Sequence, residues 1–411
     1  MLFKKSLMML AAVVMAMGAP VVAQDVTTPL LNVLTTKDNC GKDAVNKAGC
    51  DESDTSWLNP EMQAAANSIS VGFGIRPSFR SFEDGAVSNG GRARNFNLDN
   101  ARIFLSGKMG DRISAYLHTD INNAQGFGGD DGLGDGIRIL DAAIDYQITD
   151  GVAVKMGRFL PPTDRSNLSG PFFINAWEFP FVQYTNGYYD IFQGRDDGVA
   201  LYGETGEDVQ LKRSFAVMEA YDTNNVGGDD NLWLLGRVVL NLLDREHVYF
   251  NDSTYYGAKD IAAVGVTFSN QSDAHGAGLD YTAWSMDFLY ERKLESGGVI
   301  TGEAAYYDRD HDGFATLDHL QGEGYFILGS YLMADSISIG SIEGRLQPSI
   351  RYQESDRSNP GAGNREHQVD YSLNYVIHGH KCRVSLIFQD IKLSGGVEDQ
   401  QNLIIGGQIR F

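Results

Sequence analysis

The 411 residues hold only three cysteines and ten prolines, and beyond the N-terminus no run of 18 apolar residues occurs. The missing apolar run excludes a transmembrane helix in the body of the chain. Positive charge is also scarce: 33 Lys and Arg stand against 54 Asp and Glu, a formal net charge of −21. Such a balance argues against nucleic acid as a partner. The sparse cysteines exclude a disulfide framework. Cys40 and Cys50 alone bracket a short loop, "CGKDAVNKAGC", and a disulfide between them is expected in an oxidising compartment. With no histidine or further cysteine beside that loop, a metal centre is not expected there. No cofactor motif is expected elsewhere. Cys382 reads as a small apolar residue in a strand.

The N-terminus carries the one apolar run. Lys4 and Lys5 precede Leu7–Met17, and Val21 and Ala23 occupy the −3 and −1 positions before Gln24. This is the pattern of a cleaved secretory signal peptide over residues 1–23. Residues 24–67 lack strand periodicity and are expected to form a periplasmic N-terminal segment with short helical turns.

What is abundant is glycine, at 47 residues, with 19 Tyr and 21 Phe. From Ser68 onward the chain alternates with period two, broken by Gly, Asp and Asn clusters, the signal of strands and turns. In "ISVGFGIRPSFR", Ile69, Val71, Phe73, Ile75, Pro77 and Phe79 share one face, opposite Ser70, Gly72, Gly74, Arg76, Ser78 and Arg80. The final run sets Leu403, Ile405, Gly407, Ile409 and Phe411 against Gln408 and Arg410. Sixteen such segments are expected between 68–81 and 401–411. Many are longer than the ~5–6 residues usual in soluble sandwiches. Tight connections ("MGD", "TDG", "ETGED", "LESGG", "HGHK") follow the even strands, and long acidic loops follow the odd ones. Residues 244–259 are a long exception on the tight side.

Short turns at one end and long loops at the other imply an all-β fold. The expectation is a 16-stranded antiparallel transmembrane β-barrel, 68–411, with short periplasmic turns and long external loops. Its apolar rows face lipid, and its polar rows face a lumen wide enough for water. Tyr371, Tyr375, Trp284, Tyr290 and Phe411 are expected on the lipid face, as interfacial aromatics. The terminal Phe411 reads as the end of a closing strand that pairs with the first. The third external loop, 161–193, is rich in rings and too long to be idle, so it is expected to fold inward as a constriction. Its polar groups would be Asp164, Arg165, Asn167, Trp177 and Glu178. Arg76, Arg80, Arg102, Lys155, Arg345, Arg351, Asp120 and Glu303 are expected to line the pore. Small luminal residues, among them Gly72, Gly74, Ser106, Ser114 and Gly265, argue against a filled interior. The aspartate-rich 128–136 reads as a solvated external loop. His118 is a luminal histidine with no accompanying nucleophile motif, so barrel catalysis is not expected.

"VKMGRFLPP" followed by "GRDDGVALYGE" resembles the phosphate-selective porin O and P family. The matching positions are Gly157, Phe159 and Pro162, then Arg195, Asp196, Gly198 and Val199. "FNLDNARIFLSGKMGD" (96–111) and "STYYGAKDIAAVGVTF" (253–268) are similar to the family's early strand and its longer periplasmic connection. The resemblance implies a trimeric, 16-stranded porin of the bacterial outer membrane, in contact with outer-membrane lipid and lipopolysaccharide. The family includes anion-selective channels and channels for short-chain amides and urea. The loop departs from a basic cluster, since Arg165 stands beside Asp164, Glu178 and Asp190. The mixed charge along the lumen points to small hydrophilic solutes such as amides or urea. An anion-selective porin is the alternative, and a barrel enzyme or a structural or adhesive barrel follows.

Overall fold

The computed structural model describes residues 69–83, 91–121, 136–185, 194–220, 229–312, 321–357 and 364–411. The expected signal peptide, the segment 24–67, the Cys40–Cys50 pair and nearly all of the aspartate-rich loop lie outside the described residues.

The alternating segments form strands in chain order: β1 (Ser70–Phe82), β2 (Ala93–Met109), β3 (Ile113–Ile121), β4 (Ile137–Thr149), β5 (Val152–Phe159), β6 (Asp196–Thr205), β7 (Gln210–Met218), β8 (Trp233–Asn241) and β9 (Ile261–Gln271). They continue through β10 (Tyr281–Lys293), β11 (Val299–Asp310), β12 (Gly322–Leu332), β13 (Ser336–Ile339), β14 (Ile342–Arg357), β15 (Arg365–His378), β16 (Cys382–Leu393) and β17 (Gln400–Arg410). All pairings between these strands are antiparallel neighbours, and β17 returns to β1 from Gly74↔Arg410 to Ser81↔Leu403. The Phe411 amide extends this seam by donating to the Phe73 carbonyl at 2.8 Å. Closure leaves no sheet edge.

β12 and β13 both pair with β14 and run in the same direction, so the seventeen strands build sixteen staves. The short β13 is the one strand that alternation did not separate. The register slips around Ala334 and Asp335, and "SISI" resumes before a turn at Gly340, whose φ of 64° suits glycine. All four β13 residues are exposed, so this hairpin projects past the wall. It folds over the outer face of Tyr375, whose hydroxyl donates to the Ile337 and Ile342 carbonyls at 2.9 and 2.8 Å. Tyr375 is therefore buried, while Tyr371 and Phe411 remain exposed on the outer face as expected.

The two rows separate cleanly on most strands. On β1, Val71 is 68% exposed while Arg76 is 2%. On β17, Ile405 and Ile409 are exposed while Asn402, Gln408 and Arg410 are buried. The chain thus puts its apolar row outside and its polar row inside, as a bilayer requires.

Candidate functional site

The polar interior is filled by two inserts, one from each end of the barrel. The first leaves β5 at Leu160. It contains two short helices, α1 (Arg165–Ser169) and α2 (Phe181–Thr185), and almost every residue from Leu160 to Gln183 is buried. Asp164 caps α1, accepting from the Ser166 and Asn167 amides. The same carboxylate accepts from the Tyr307 hydroxyl of β11 at 2.9 Å and from the Gln183 amide at 3.1 Å. It therefore ties both ends of the insert to one wall. Burial, with Asp287 nearby, pushes the Asp164 carboxyl up from its ordinary value.

Across the lumen, the insert is clamped through its carbonyls. Arg383 on β16 donates to the carbonyls of Ile174, Asn175 and Ala176 at 3.0, 3.1 and 3.2 Å. Gln408 on β17 holds that of Phe172 at 3.0 Å, Arg76 on β1 that of Trp177, and Arg351 on β14 that of Glu178 at 2.7 Å. The Trp177 indole donates to Asp99 on β2 at 2.8 Å and lies under the Arg76 guanidinium, 4.1 Å from its centroid. Glu178 pairs with Arg80, which also pairs with Asp99 at 2.8 Å. Burial alone would raise the Glu178 carboxyl, but Arg80 and Arg365 outweigh it and hold it at about 2.

The second insert is the β8–β9 connection, 242–260. Glu246, Tyr249, Asn251, Ser253 and Thr254 are buried. Arg165 binds both Glu246 carboxylate oxygens, at 2.7 and 2.9 Å. Tyr249 donates to the Leu160 carbonyl at 2.7 Å, and the Ser253 amide to that of Phe173 at 3.1 Å. His380, at the β15–β16 turn, lies between the Phe172 and Thr254 carbonyls at 3.2 and 2.8 Å. Burial, with Arg383 and Arg410 nearby, pushes this imidazole down to about 3, so it is neutral and donates across the shorter contact. Glu291 gathers the Tyr255 and Gly257 amides and the Thr254 hydroxyl at 3.0, 2.9 and 2.7 Å. Lys155 pairs with Asp145 at 2.8 Å, and its ammonium sits 4.5–5.9 Å from the ring centroids of Tyr116, Phe159, Tyr202, Tyr249 and Phe250.

The residues expected to line a pore take these positions. Arg76, Arg80, Arg102, Lys155, Arg351, Asp120 and Glu303 all face the interior and are nearly fully buried. Arg102 pairs with Asp120 at 2.7 Å, and Glu303 accepts from Ser253 at 3.0 Å. Arg345 instead ties rim carbonyls, Met333 at 2.6 Å and Gly297 at 2.7 Å. Within the insert, Arg165 joins the second insert, Asn167 braces Thr163 at 2.8 Å, and Trp177 and Glu178 anchor the far wall.

At Gly74 and Gly265 the reading of small luminal residues as open space is reversed, whereas Ser106 and Ser114 stay half-buried. A Cβ on Gly74 would lie 2.7 Å from Phe172, and one on Gly406 would lie 2.4 Å from Trp177. On Gly265 it would meet Arg237 at 2.6 Å. These positions are small because the interior is filled, not because it is open. Sequence reasoning also missed Asp99, Glu246, Tyr307 and Gln408. Asp99, Tyr307 and Gln408 sit on the inward parity of their strands and Glu246 in a connection, and nothing in the period names their partners.

Inward side chains that keep water contact include Ser106 and Lys108 on β2 and Ser114, Tyr116 and His118 on β3, all half-buried, with Ser349 on β14 and Ser372 on β15; the inner rows of β8–β11 are buried, save Lys293 at the end of β10.

Comparisons with known proteins agree with this architecture. The barrel resembles the outer membrane channel DcaP of Acinetobacter baumannii, with a TM-score of 0.54 at 14% identity over 84% of this chain and 97% of that one. It resembles OprB of Pseudomonas putida, with a TM-score of 0.56 at 10% identity over 87% and 97%. OmpT of Vibrio cholerae, solved in a trimer form, gives a TM-score of 0.50 at 11% identity over 84% and 99%. No curated protein sequence matches the chain. Residues 69–212 match the family model of phosphate-selective porin O and P. Over that stretch the chain is similar in sequence to this porin family, and its closed barrel has the fold of outer-membrane channels.

Proposed function

We propose that the chain forms a diffusion channel across the bacterial outer membrane for small hydrophilic solutes, with uncharged polar molecules such as short-chain amides or urea as the preferred class. One observation carries the preference: interior charge is spent on interior partners. Arg80, Arg102, Lys155, Arg165, Arg195, Arg237 and Arg351 each pair with a carboxylate. Arg76 and Arg383 donate to insert carbonyls. Cations so engaged present little free field to a passing anion. In this reading residues 1–23 are removed on export, 161–193 act as the constriction, and transport involves no covalent step. A homotrimer in contact with outer-membrane lipid and lipopolysaccharide is supported by the family resemblance and by the trimeric OmpT relative.

The phosphate in the family's description motivates anion selectivity as a second reading. A planar-bilayer reversal potential under a potassium chloride gradient separates the two. Weak selectivity is expected, together with liposome swelling that is faster in acetamide or urea than in glycerol. Strong anion selectivity would overturn the amide reading.

A further inference from the structure

The two inserts approach the β2–β3 wall at different rings. Phe172 of the first insert meets Phe104 on β2, with centroids 6.0 Å apart. Phe250 of the second meets Tyr116 on β3, 6.4 Å apart. His118 lies between those two wall rings, with its centroid 5.0 Å from each. Its cross-strand partner is Phe104, whose side chain faces inward, so the imidazole faces inward too. Its side chain nonetheless keeps 23% exposure, in an interior where most neighbours keep almost none. Water thus reaches the wall between the two inserts, at this imidazole.

The imidazole is held in one orientation. Its Nδ1 is 3.1 Å from Asp141 Oδ2, and Arg195 donates to both oxygens of Asp141, at 3.1 and 3.4 Å. A carboxylate engaged by an arginine is an acceptor, so Nδ1 carries a proton, and in the neutral ring Nε2 is then the acceptor. Among the described residues no protein group bonds Nε2. The nearby charges are also committed to one another: Arg102 to Asp120, and Lys155 to Asp145.

We propose that the gap between the two inserts at His118 is the throat of the channel, and that His118 Nε2 is the acceptor that passing solutes touch. The site suits a small neutral solute with N–H donors and a flat face, flanked by the Phe104 and Tyr116 rings. Urea and short primary amides have both features; a polyol of similar size has donors but no flat face, so the two rings do not hold a hydroxyl on Nε2. This assignment rests on the amide reading above for its solute class, while the position of the throat stands on the geometry.

The test is liposome swelling with the full-length protein, comparing acetamide and urea with glycerol. Folding is checked by the heat-dependent shift in gel mobility. In His118→Phe the amide-to-glycerol rate ratio is expected to fall about 3- to 10-fold, the worth of one hydrogen bond. His118→Gln, which restores an acceptor, is expected to recover part of it, and His367→Phe on the outer face to change nothing. A wild-type amide preference that survives in His118→Phe overturns the site and leaves the amide reading standing. If wild-type protein shows no amide preference, the solute class falls. Diethyl pyrocarbonate, which acylates a free imidazole nitrogen, then decides the throat. Slower glycerol entry in wild type but not in His118→Gln supports it, and equal or absent slowing overturns it.

Discussion

Replacing Arg165 by methionine should release the two inserts from each other. Arg165 is 1% exposed, and the Glu246 side chain it binds through two hydrogen bonds is fully buried. Without the guanidinium, Glu246 keeps only Lys212 at 3.4 Å and the Tyr255 hydroxyl at 2.8 Å. Removing one partner of a buried ion pair costs about 3–5 kcal/mol, because the remaining charge stays desolvated. At ~1.4 kcal/mol per factor of ten, the ratio of docked to undocked insert should fall by two to three orders of magnitude. Single-channel recording should then show frequent visits to a larger, noisier conductance level, and limited proteolysis in vesicles should cut within 161–193 or 242–260. The double variant Arg165→Met with Glu246→Gln should recover more than half of the lost quiet state, since it removes the stranded charge. The pH dependence has a definite sign. Burial would raise the Glu246 carboxyl, but Arg165 and Lys212 hold it well below the carboxylate range. A depressed carboxyl stabilises the folded state above its unfolded pKa, and that stability is lost only as pH falls through the lower folded value. Glu178, held at about 2, behaves alike. The Arg165–Glu246 interlock should therefore hold equally at about pH 7 and pH 5. An Arg165→Met channel that is as quiet and as protease-resistant as wild type would refute the interlock.

Three further outcomes are expected. Gly406→Ala should displace Trp177, whose ring lies 2.4 Å from the new Cβ, costing about 1–3 kcal/mol and giving a lower unfolding temperature with altered conductance. Lys155→Met should strand Asp145 and empty the cage of five rings, loosening the 242–260 insert; hydrogen exchange at the Tyr249 and Phe250 amides should rise while the barrel strands stay protected. Deleting Phe411, which is 74% exposed and adds one backbone bond to the seam, should lower the yield of assembled barrel; the heat stability of the fraction that assembles should be nearly unchanged.

The wall was legible because its physics is local. A strand with one face in lipid and one inside must alternate, so the expected 152–161, 280–293 and 381–391 lie within two residues of β5, β10 and β16 at each end. The turns were legible for the same reason: glycines such as Gly110 and Gly340 sit at positive φ between strands whose periods stop. β13 escaped because it is only four residues long and follows a two-residue slip, too short a run for its alternation to stand out. Inward folding of the described part of that loop, 161–183, could be anticipated from its rings. The 242–260 insert could not, because Glu246, Asn251 and Ser253 read as ordinary connection residues until the first insert supplies Arg165 and the wall supplies Lys212 and Glu303.

The luminal arginines show where the sequence could not decide. A row such as Arg76, Arg80, Arg102, Arg351 and Arg383 reads equally as an anion path or as a scaffold, because residue type and parity are the same in both. The difference lies in what each guanidinium meets. In a path it meets water and must stay available, so its partners cannot outcompete a passing anion. Here Arg383 meets three successive carbonyls, Arg76 a carbonyl and an indole face, and Arg351 a carbonyl and Asp370. These contacts fix a long insert that would otherwise leave its buried carbonyls unsatisfied, at about 1–3 kcal/mol each. The arginines are therefore needed whether or not anything anionic passes, and their abundance says nothing about the cargo. On the proposed reading, selection falls to inward groups that still meet water, among them Ser106, Lys108, Ser114, Tyr116 and His118, and substitutions there should change which solutes pass while those in the arginine row should change whether the inserts stay docked.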